Sequence, residues 1–461
     1  MEFYSREEEQ KAIDYILRKD DFASGLIYGR RRLGKTELLK HCFLKSKKQF
    51  IIYQCNQENE ISNINDLVSL IKNILGVKNI SFNSFLDVIE YLFEYAESNE
   101  LCFAIDEYPY IRKIINGIDS KLQEIIDNYH NKSKIKFFLL GSSIPTMKNI
   151  LNVDNPLYGR FNVTILLKEM DYYDSAKFYK DFSNEDKVKL YAAFGGVPFY
   201  NKQIDSKLTV KENIINLLSG QFSHLLVEIT SNIKEELTKI NNAYSVFSTI
   251  AMGAFHYSDI LSKSGISTTS TLYDTLEILE KMDLITYVCP INDKNNKRKS
   301  GYVLTDSAIY FYYRYIYHNL SIKNIISNEM FYDRYINDDF LSVVVPKAFE
   351  KISMQYLIRK NRLGLIEPII EDVGTYWYDD PKERKNGQFD LVTKSKEGYI
   401  LYEVKFTNSK IDNHVVNEEI SQAVKANLNP INYGFISKNG FNITNDNNYI
   451  LITLDDIYDI K

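Results

Sequence analysis

Apolar positions fall into three regimes along the chain. Early on, "SGLIY", "LCFAID" and "KIKFFLLG" are short unbroken apolar runs separated by polar loops and stretches of helical periodicity. Runs of that length read as buried strands, and their alternation with helices predicts a parallel sheet with its ligand at the strands' carboxyl ends. Over residues 236–320 the period changes: "AYSVFSTIAMGA", "HYSDILSKSG" and "STTSTLYDTLEILEKMDLI" carry apolar residues at 3- and 4-residue spacing, and the strand-like "TYVCPI" and "GYVLTD" flank the polar "NDKNNKRKS". From about 340 a helix containing "PKAFEKISMQYLI" leads to the strands "IEPIIEDVGTYWYD", "QFDLVTK" and "GYILYEVKF". A helical "HVVNEEISQAVKAN" and the strands "INYGFIS" and "YILITL" complete the order αβββαββ.

The loops between the first strands carry the chemistry. "SGLIYGRRRLGKTELLKHCF" reads as strand, loop and amphipathic helix, and Gly29-x-x-x-x-Gly34-Lys35-Thr36 has P-loop spacing. The nucleotide-binding set is Gly29, Arg30, Arg31, Arg32, Leu33, Gly34, Lys35, Thr36 and Glu37. The glycines let backbone N–H groups curl around ATP phosphates, Lys35 reaches the β/γ oxygens and Thr36 ligates Mg²⁺. The strand "LCFAID" ends in Asp106 and Glu107, suited to holding the Mg²⁺ shell and polarising the attacking water. Ser142 and Ser143 end the third strand, placed either to sense the γ-phosphate or to form a turn.

Length and charge limit the rest. At 461 residues the chain has room for about three domains of roughly 150 residues. A formal net charge of −5 gives no global field for nucleic acid. Four scattered cysteines form no zinc or disulfide pattern, and no histidine has ligand-like spacing, so a reducing cytosol fits. The opening "MEFYSREEEQ" lacks the build of a signal peptide, and no apolar run approaches the length of a membrane span, so a cytoplasmic protein without membrane contact is expected.

Taken in order, "YGRRRLGKTEL", "AIDEYPYI", "FFLLGSS", "NPLYGRFN" and "FGGVPFYNK" resemble the archaeal-type P-loop ATPases of the AAA+/STAND group. The lead-in "FYSREEEQKAIDYI" adds Phe3, Arg6 and Glu7 at matching positions, and the resemblance covers roughly the first 235 residues. It implies that Arg160 approaches a γ-phosphate as sensor or finger, and that Pro198 packs near the adenine on a helical lid. Spacing alone makes Gly195-Gly196 and Pro198 an interhelical turn.

The middle order, three helices then a hairpin, is that of a winged helix-turn-helix. A DNA-reading version loads its third helix with Arg, Lys, Asn or Gln; here Asp274, Glu277 and Glu280 stand against a lone Lys281. Lys294, Lys297, Arg298 and Lys299 at the wing tip suit a few phosphate contacts or a solvated hairpin end, and a docking or relay module fits better than a DNA reader. The following "YVLTDSAIYFYYRYIYHN" resembles the family's aromatic helix, with Asp306 and Arg314 at matching positions and its rings expected in the core.

In "EVKF", residues two apart share a strand face, so Glu403 and Lys405 project together and a neighbouring strand can bring Asp390 beside Glu403. Two such carboxylates need a cation, supplied by Lys405 or a metal. The strand order resembles the restriction-endonuclease-like PD-(D/E)xK core. That resemblance implies Mg²⁺ or Mn²⁺ held by Asp390, Glu403, the Val404 carbonyl and Glu350, with Lys405 orienting or deprotonating water. A plain salt-bridged strand end is the alternative. Residues 347–461 hold 15 Lys and Arg against 17 Asp and Glu, which gives no electropositive DNA groove. His414, the nearest histidine, is expected on a loop surface.

The expected fold is multi-domain α/β: a P-loop ATPase core (1–166), a helical lid (167–235), a winged helix (236–320), a helical connector (321–345) and a nuclease-like domain (346–461). The expected function is an ATP-hydrolysing switch controlling a metal-dependent nuclease-like domain that acts on DNA or RNA. The alternatives are an ATP-latched signalling protein, whose silent nuclease-like domain docks a regulatory protein partner, and a transcription regulator. Oligomeric state is not legible.

Overall fold

The computed structural model describes residues 3–237, 240–380, 385–444 and 448–460. The chain divides into two compact units, Met1–Glu169 and Met170–Lys461. In the first, β1 (Ala23–Tyr28), β2 (Gln49–Gln54), β3 (Leu101–Asp106), β4 (Lys136–Gly141) and β5 (Val163–Leu166) form one sheet in the order β2-β3-β4-β1-β5. Every pairing is parallel. β1, β3 and β4 are buried along their whole length, which is why they read as unbroken apolar runs. The order places their carboxyl ends side by side, so the loops after Tyr28, Asp106 and Gly141 meet at one edge.

The second unit opens with short helices that include Tyr172–Ala176 and Asn184–Phe194. The turn closing the latter explains its Gly pair. Met170 N–H donates to the Gly196 carbonyl at 2.8 Å, and a Cβ on Gly196 would stand 1.9 Å from the Met170 carbonyl oxygen. Backbone cannot yield as a flexible side chain would, so Gly196→Ala is expected to cost at least the ~1–3 kcal/mol of an overpacked core. Chemical denaturation measures this, and an unchanged midpoint would refute the close approach.

Helices Ala243–Ala251, Tyr257–Lys263 and Thr269–Lys281 follow, then an antiparallel hairpin of β6 (Ile285–Val288) and β7 (Gly301–Leu304), in the order expected. Asp306 caps the aromatic helix by accepting from Ala308 and Ile309 N–H, and Phe311, Tyr313 and Tyr315 are buried, so these rings are core.

The second large sheet is made from β8 (Asp372–Asp380), β9 (Lys385–Lys394), β10 (Tyr399–Lys405), β12 (Asn432–Ser437) and β14 (Ile450–Thr453), in the order β14-β12-β10-β9-β8. The β8-β9-β10 side is antiparallel and the β10-β12-β14 side parallel. Two short strands, β11 (Ile411–Asp412) and β13 (Phe441–Asn442), pair beside it. The αβββαββ order is present, with these two added. The leading helix, Val345–Arg362, continues directly from a wider turn at Phe340–Val344, so a boundary at 345/346 falls inside one helical run. Among the described residues no helix is long and apolar enough to cross a membrane.

The hairpin tip lies along the edge strand β8. Ile291 N–H donates to the Thr375 carbonyl (2.8 Å), and Asn292 exchanges two hydrogen bonds with the Trp377 backbone. Ile291 is buried with Phe389, Val392, Leu401 and Ala423. Lys294 pairs with Asp372 and Lys299 with Asp379, at 2.6 and 3.1 Å. Two of the four basic residues at the hairpin tip, Lys294 and Lys299, are thus paired with acidic side chains of β8 and are neither solvated nor free for phosphate.

Candidate functional sites

At the sheet edge of the first unit, β1 turns into the P-loop at Gly29, whose φ of +151° and approach to Leu167 exclude a side chain: a Cβ would lie 2.2 Å from the Leu167 carbonyl oxygen. Gly34 begins the helix Lys35–Ser46 in the left-handed region. Lys35 is buried, and its ammonium donates to the carbonyls of Gly29 (2.8 Å) and Arg30 (3.0 Å), bending over the loop it is expected to help fill with phosphate. Arg30 pairs with Glu169 at 3.2 Å, Arg31 donates to the Tyr110 hydroxyl at 2.6 Å, and Arg32 has a positive φ. Leu33 is buried and Glu37 lies in the first turn of the helix.

Thr36 Oγ1 donates to Asp106 Oδ2 at 2.5 Å. Burial pushes the Asp106 carboxyl up, and the Thr36 hydrogen bond opposes that shift. This hydroxyl and carboxylate, already in contact at the carboxyl end of β3, suit Mg²⁺ by donor chemistry. Glu107 is a non-glycine residue at φ 53°, heading the helix Tyr108–Ile114. Its Oε2 accepts from both the N–H (3.2 Å) and the hydroxyl (2.7 Å) of Ser142. Glu107 N–H donates to Asp106 Oδ1 at 2.9 Å, so Thr36, Asp106, Glu107 and Ser142 form one network, while Ser143 makes a local contact to Thr146.

Arg160 lies elsewhere in this unit. Its carbonyl accepts from Ser24 Oγ at the amino end of β1, and its guanidinium grips Asp127 through Nε (2.9 Å) and Nη2 (2.8 Å). Ser24 and Gly29 are five residues apart on an extended strand, about 16 Å at ~3.3 Å per residue. The structure does not bring Arg160 to the P-loop of its own chain. Its loop is nevertheless wired to the Glu107 helix: Asn155 donates to Asp119 (2.8 Å), which also accepts from Tyr108 (2.6 Å) and Arg112. Pro198, in the second unit, begins the short helix Pro198–Asn201 after the Gly pair.

The C-terminal carboxylates gather on one face of the second sheet. Tyr402 pairs with Leu391, and one further step of that register sets Glu403 across from Asp390. Lys405 forms a close ion pair with Glu403. Glu350 reaches the cluster from the helix Val345–Arg362; burial, then the Asp390 charge, pushes its carboxyl up to about 7. Burial opposes charge on Lys405, while its bond to Glu403 and the nearby carboxylates favour it, with a net upward shift. Among the described residues no three acidic or histidine side chains stand close enough to hold one metal ion. The donor chemistry suits a hard cation, but as the side chains lie the Lys405 ammonium takes a cation's place beside Glu403. His414 is exposed as expected, but it lies in the first turn of the helix Asn413–Lys425 rather than on a loop, one turn before Glu418.

Two features here were not read from sequence. Glu419, on the helix Asn413–Lys425, is only 5% exposed, and burial followed by the charges of Glu403 and Asp390 pushes its carboxyl up to about 8. A charged residue at an inward position of an amphipathic helix, one turn after Val416 and one before Ala423, was the available signal. The helix carrying Glu350 also grips the helices at the start of its unit. Arg359 pairs with Asp171 (2.7 Å) and Asp174 (3.3 Å) and stacks on Tyr173, and Gln355 bonds the Tyr191 hydroxyl and Tyr172 N–H. These links carry no sequence signal, because their partners are more than 150 residues apart.

Residues 3–204 match the family described as "ATPase domain predominantly from Archaea", and residues 312–418 match one described as "Archaea bacterial proteins of unknown function". A Methanocaldococcus jannaschii protein, "Uncharacterized protein MJECL04", is 26% identical over 413 residues, 88% of each chain. The solved Walker-type ATPase PABY2304 of Pyrococcus abyssi is similar with a TM-score of 0.50 and 20% identity, over 68% of this chain and 96% of that one. The ORC2 protein of Aeropyrum pernix gives a TM-score of 0.45 and 13% identity, over 71% and 96%. Residues 3–204 thus match an ATPase domain and are built on a parallel sheet with a P-loop, and the chain continues into a β-rich domain.

Proposed function

We propose that this protein is an ATP-driven switch whose nucleotide state controls a metal-dependent nuclease-like domain acting on DNA or RNA. The observation that carries the proposal is the shared helix Val345–Arg362. It supplies Glu350 to the carboxylate cluster, and through Gln355 and Arg359 it is fastened to residues 171–191, which follow the ATPase sheet directly in the chain. A change in those short helices, read here as the lid carrying Pro198, would move Glu350. Helices 243–281 and their hairpin are read as a winged helix whose tip braces β8, a relay between the ends rather than a DNA reader; its Lys281 is already paired with Glu277.

In the ATPase site Lys35 neutralises the β/γ-phosphates, Thr36 and Asp106 hold Mg²⁺, and Ser142 positions Glu107, which polarises the attacking water. Arg160, remote from its own P-loop, serves as a finger for a second copy. In the nuclease-like site Asp390, Glu403, the Val404 carbonyl and Glu350, too far apart as they lie, would have to close on Mg²⁺ or Mn²⁺, which would supply charge stabilisation at a phosphodiester. Lys405 leaves Glu403 to orient water.

A second reading is favoured by the Glu403–Lys405 ion pair and by the wing lysines paired to β8. In it, the C-terminal domain is a silent surface that docks a protein partner. Incubating the protein with single- and double-stranded DNA and RNA, ATP, and Mg²⁺ or Mn²⁺ separates the two. The switch predicts cleavage in one nucleotide state, abolished in Glu403→Ala and made independent of ATP in Arg359→Ala. Absence of cleavage in every nucleotide state would leave the docking reading.

A further inference from the structure

We infer that Asp119 is a positioning residue for ATP hydrolysis, which through Tyr108 and Arg112 fixes the turn that aims Glu107. This rests on the reading of Glu107 as the group that polarises the attacking water. Glu107 is the single residue between β3 and the helix Tyr108–Ile114, and it stands at φ 53°. A residue with a long side chain holds that left-handed conformation only where its surroundings enforce it. The enforcing contacts lie outside the turn. Glu107 makes no capping bond to the helix it heads, and seven residues are too few for a helix to be stable alone.

Two side chains of that helix end on one carboxylate. Tyr108 is buried and donates its hydroxyl to Asp119 Oδ1 at 2.6 Å, and Arg112, one turn on, donates through Nε to both Asp119 oxygens at 3.1 and 2.9 Å. Asp119 comes from the next helix, Ile118–Tyr129, and is 7% exposed. Its Oδ2 also accepts from Asn155 at 2.8 Å, so the charge is well satisfied and the anchor stiff. Arg112 extends the brace to the helix Ile144–Asn149, which follows Ser142 and Ser143: it donates to the Thr146 carbonyl at 3.3 Å and to Asn149 Oδ1 at 2.7 Å. The turn bearing Glu107 and the segment after Ser142, its hydrogen-bond partner, are thus held to one point. Among the described residues the side-chain hydrogen bonds of Asp119 go to Tyr108, Arg112 and Asn155, none of them in the P-loop. Its effect on hydrolysis must pass through the groups it places.

The test measures phosphate release and binding of a fluorescent ATP analogue by the full chain. Asp119→Asn keeps the shape of the side chain but loses its charge and one acceptor, and should lower kcat roughly 10- to 100-fold with ATP affinity unchanged, the scale of a misplaced group. Glu124→Gln, which removes an exposed acid from the same helix, should match wild type. Should Asp119→Asn fail to fold, Tyr108→Phe removes one bond, keeps the ion pair, and should also lower kcat without weakening ATP. The decisive arm places each substitution in Glu107→Gln, where it should slow turnover no further, because a residue acting through Glu107 has nothing left to place. An equal further loss in that background, or a loss of ATP affinity matching the loss of kcat, would make Asp119 a support of the fold and overturn the inference. So would wild-type kcat in the variants that fold while Glu107→Gln is slow, which leaves the reading of Glu107 standing. Wild-type turnover in Glu107→Gln would overturn both.

Discussion

Glu107→Gln should bind ATP with nearly wild-type affinity and hydrolyse it about 10²- to 10⁴-fold more slowly, the usual loss when a positioned general base is removed. The substitution is nearly isosteric, and a glutamine oxygen can still accept from Ser142 N–H and Oγ, now 3.2 and 2.7 Å from the carboxylate. The left-handed turn at Glu107 should therefore persist. What is lost is the negative charge that draws a proton from water. Lys35→Ala is the complementary control: removing a charged donor to the phosphates should weaken ATP by about 10- to 100-fold. Equilibrium binding of a fluorescent ATP analogue and phosphate release separate the two effects. Wild-type turnover in Glu107→Gln would move the base elsewhere.

The place of the P-loop in the fold was legible because its determinants are local. A buried parallel strand needs an unbroken apolar run, a P-loop needs glycines at fixed offsets, and Asp106 follows its strand directly, so Gly29 to Thr36 and Asp106 could be placed without any long-range contact. The register of β9 on β10, which points Asp390 toward Glu403, was legible for the same reason, since strand alternation and a short connection fix it. Long-range facts were not. Nothing in "NPLYGRFN" says that its arginine lies by the amino end of β1, because the resemblance supplies a role but no position. Lys294 and Lys299 look like phosphate ligands until β8 brings Asp372 and Asp379 beside them. Glu419 was passed over because a helix face is judged by its apolar residues, and one buried acid among them reads as an imperfection.

If Arg160 acts on a second copy of the chain, its loss should leave ATP affinity unchanged and lower turnover sharply, up to the ~10³ to 10⁵ that a fully engaged arginine finger supplies. Within one chain the guanidinium is held by Asp127, with 26% of the arginine side chain and 50% of the aspartate exposed. A pair so exposed is worth only ~0–1 kcal/mol, so it can be exchanged for a phosphate. The loop carrying it also touches the nucleotide machinery indirectly, through Asn155, Asp119 and Tyr108, the residue after Glu107. Turnover per chain should then rise with protein concentration in wild type and stay flat in Arg160→Ala. The decisive measurement mixes two slow variants. Glu107→Gln retains Arg160 but lacks the base, and Arg160→Ala retains the base but lacks the finger. Where copies meet head to tail, the first can complete the second, and the mixture should turn over ATP faster than either alone. A wild-type rate in Arg160→Ala would leave Arg160 as the partner of Asp127 only. A loss that no partner restores, at any concentration, would mean that Arg160 acts within its own chain after a rearrangement of this loop.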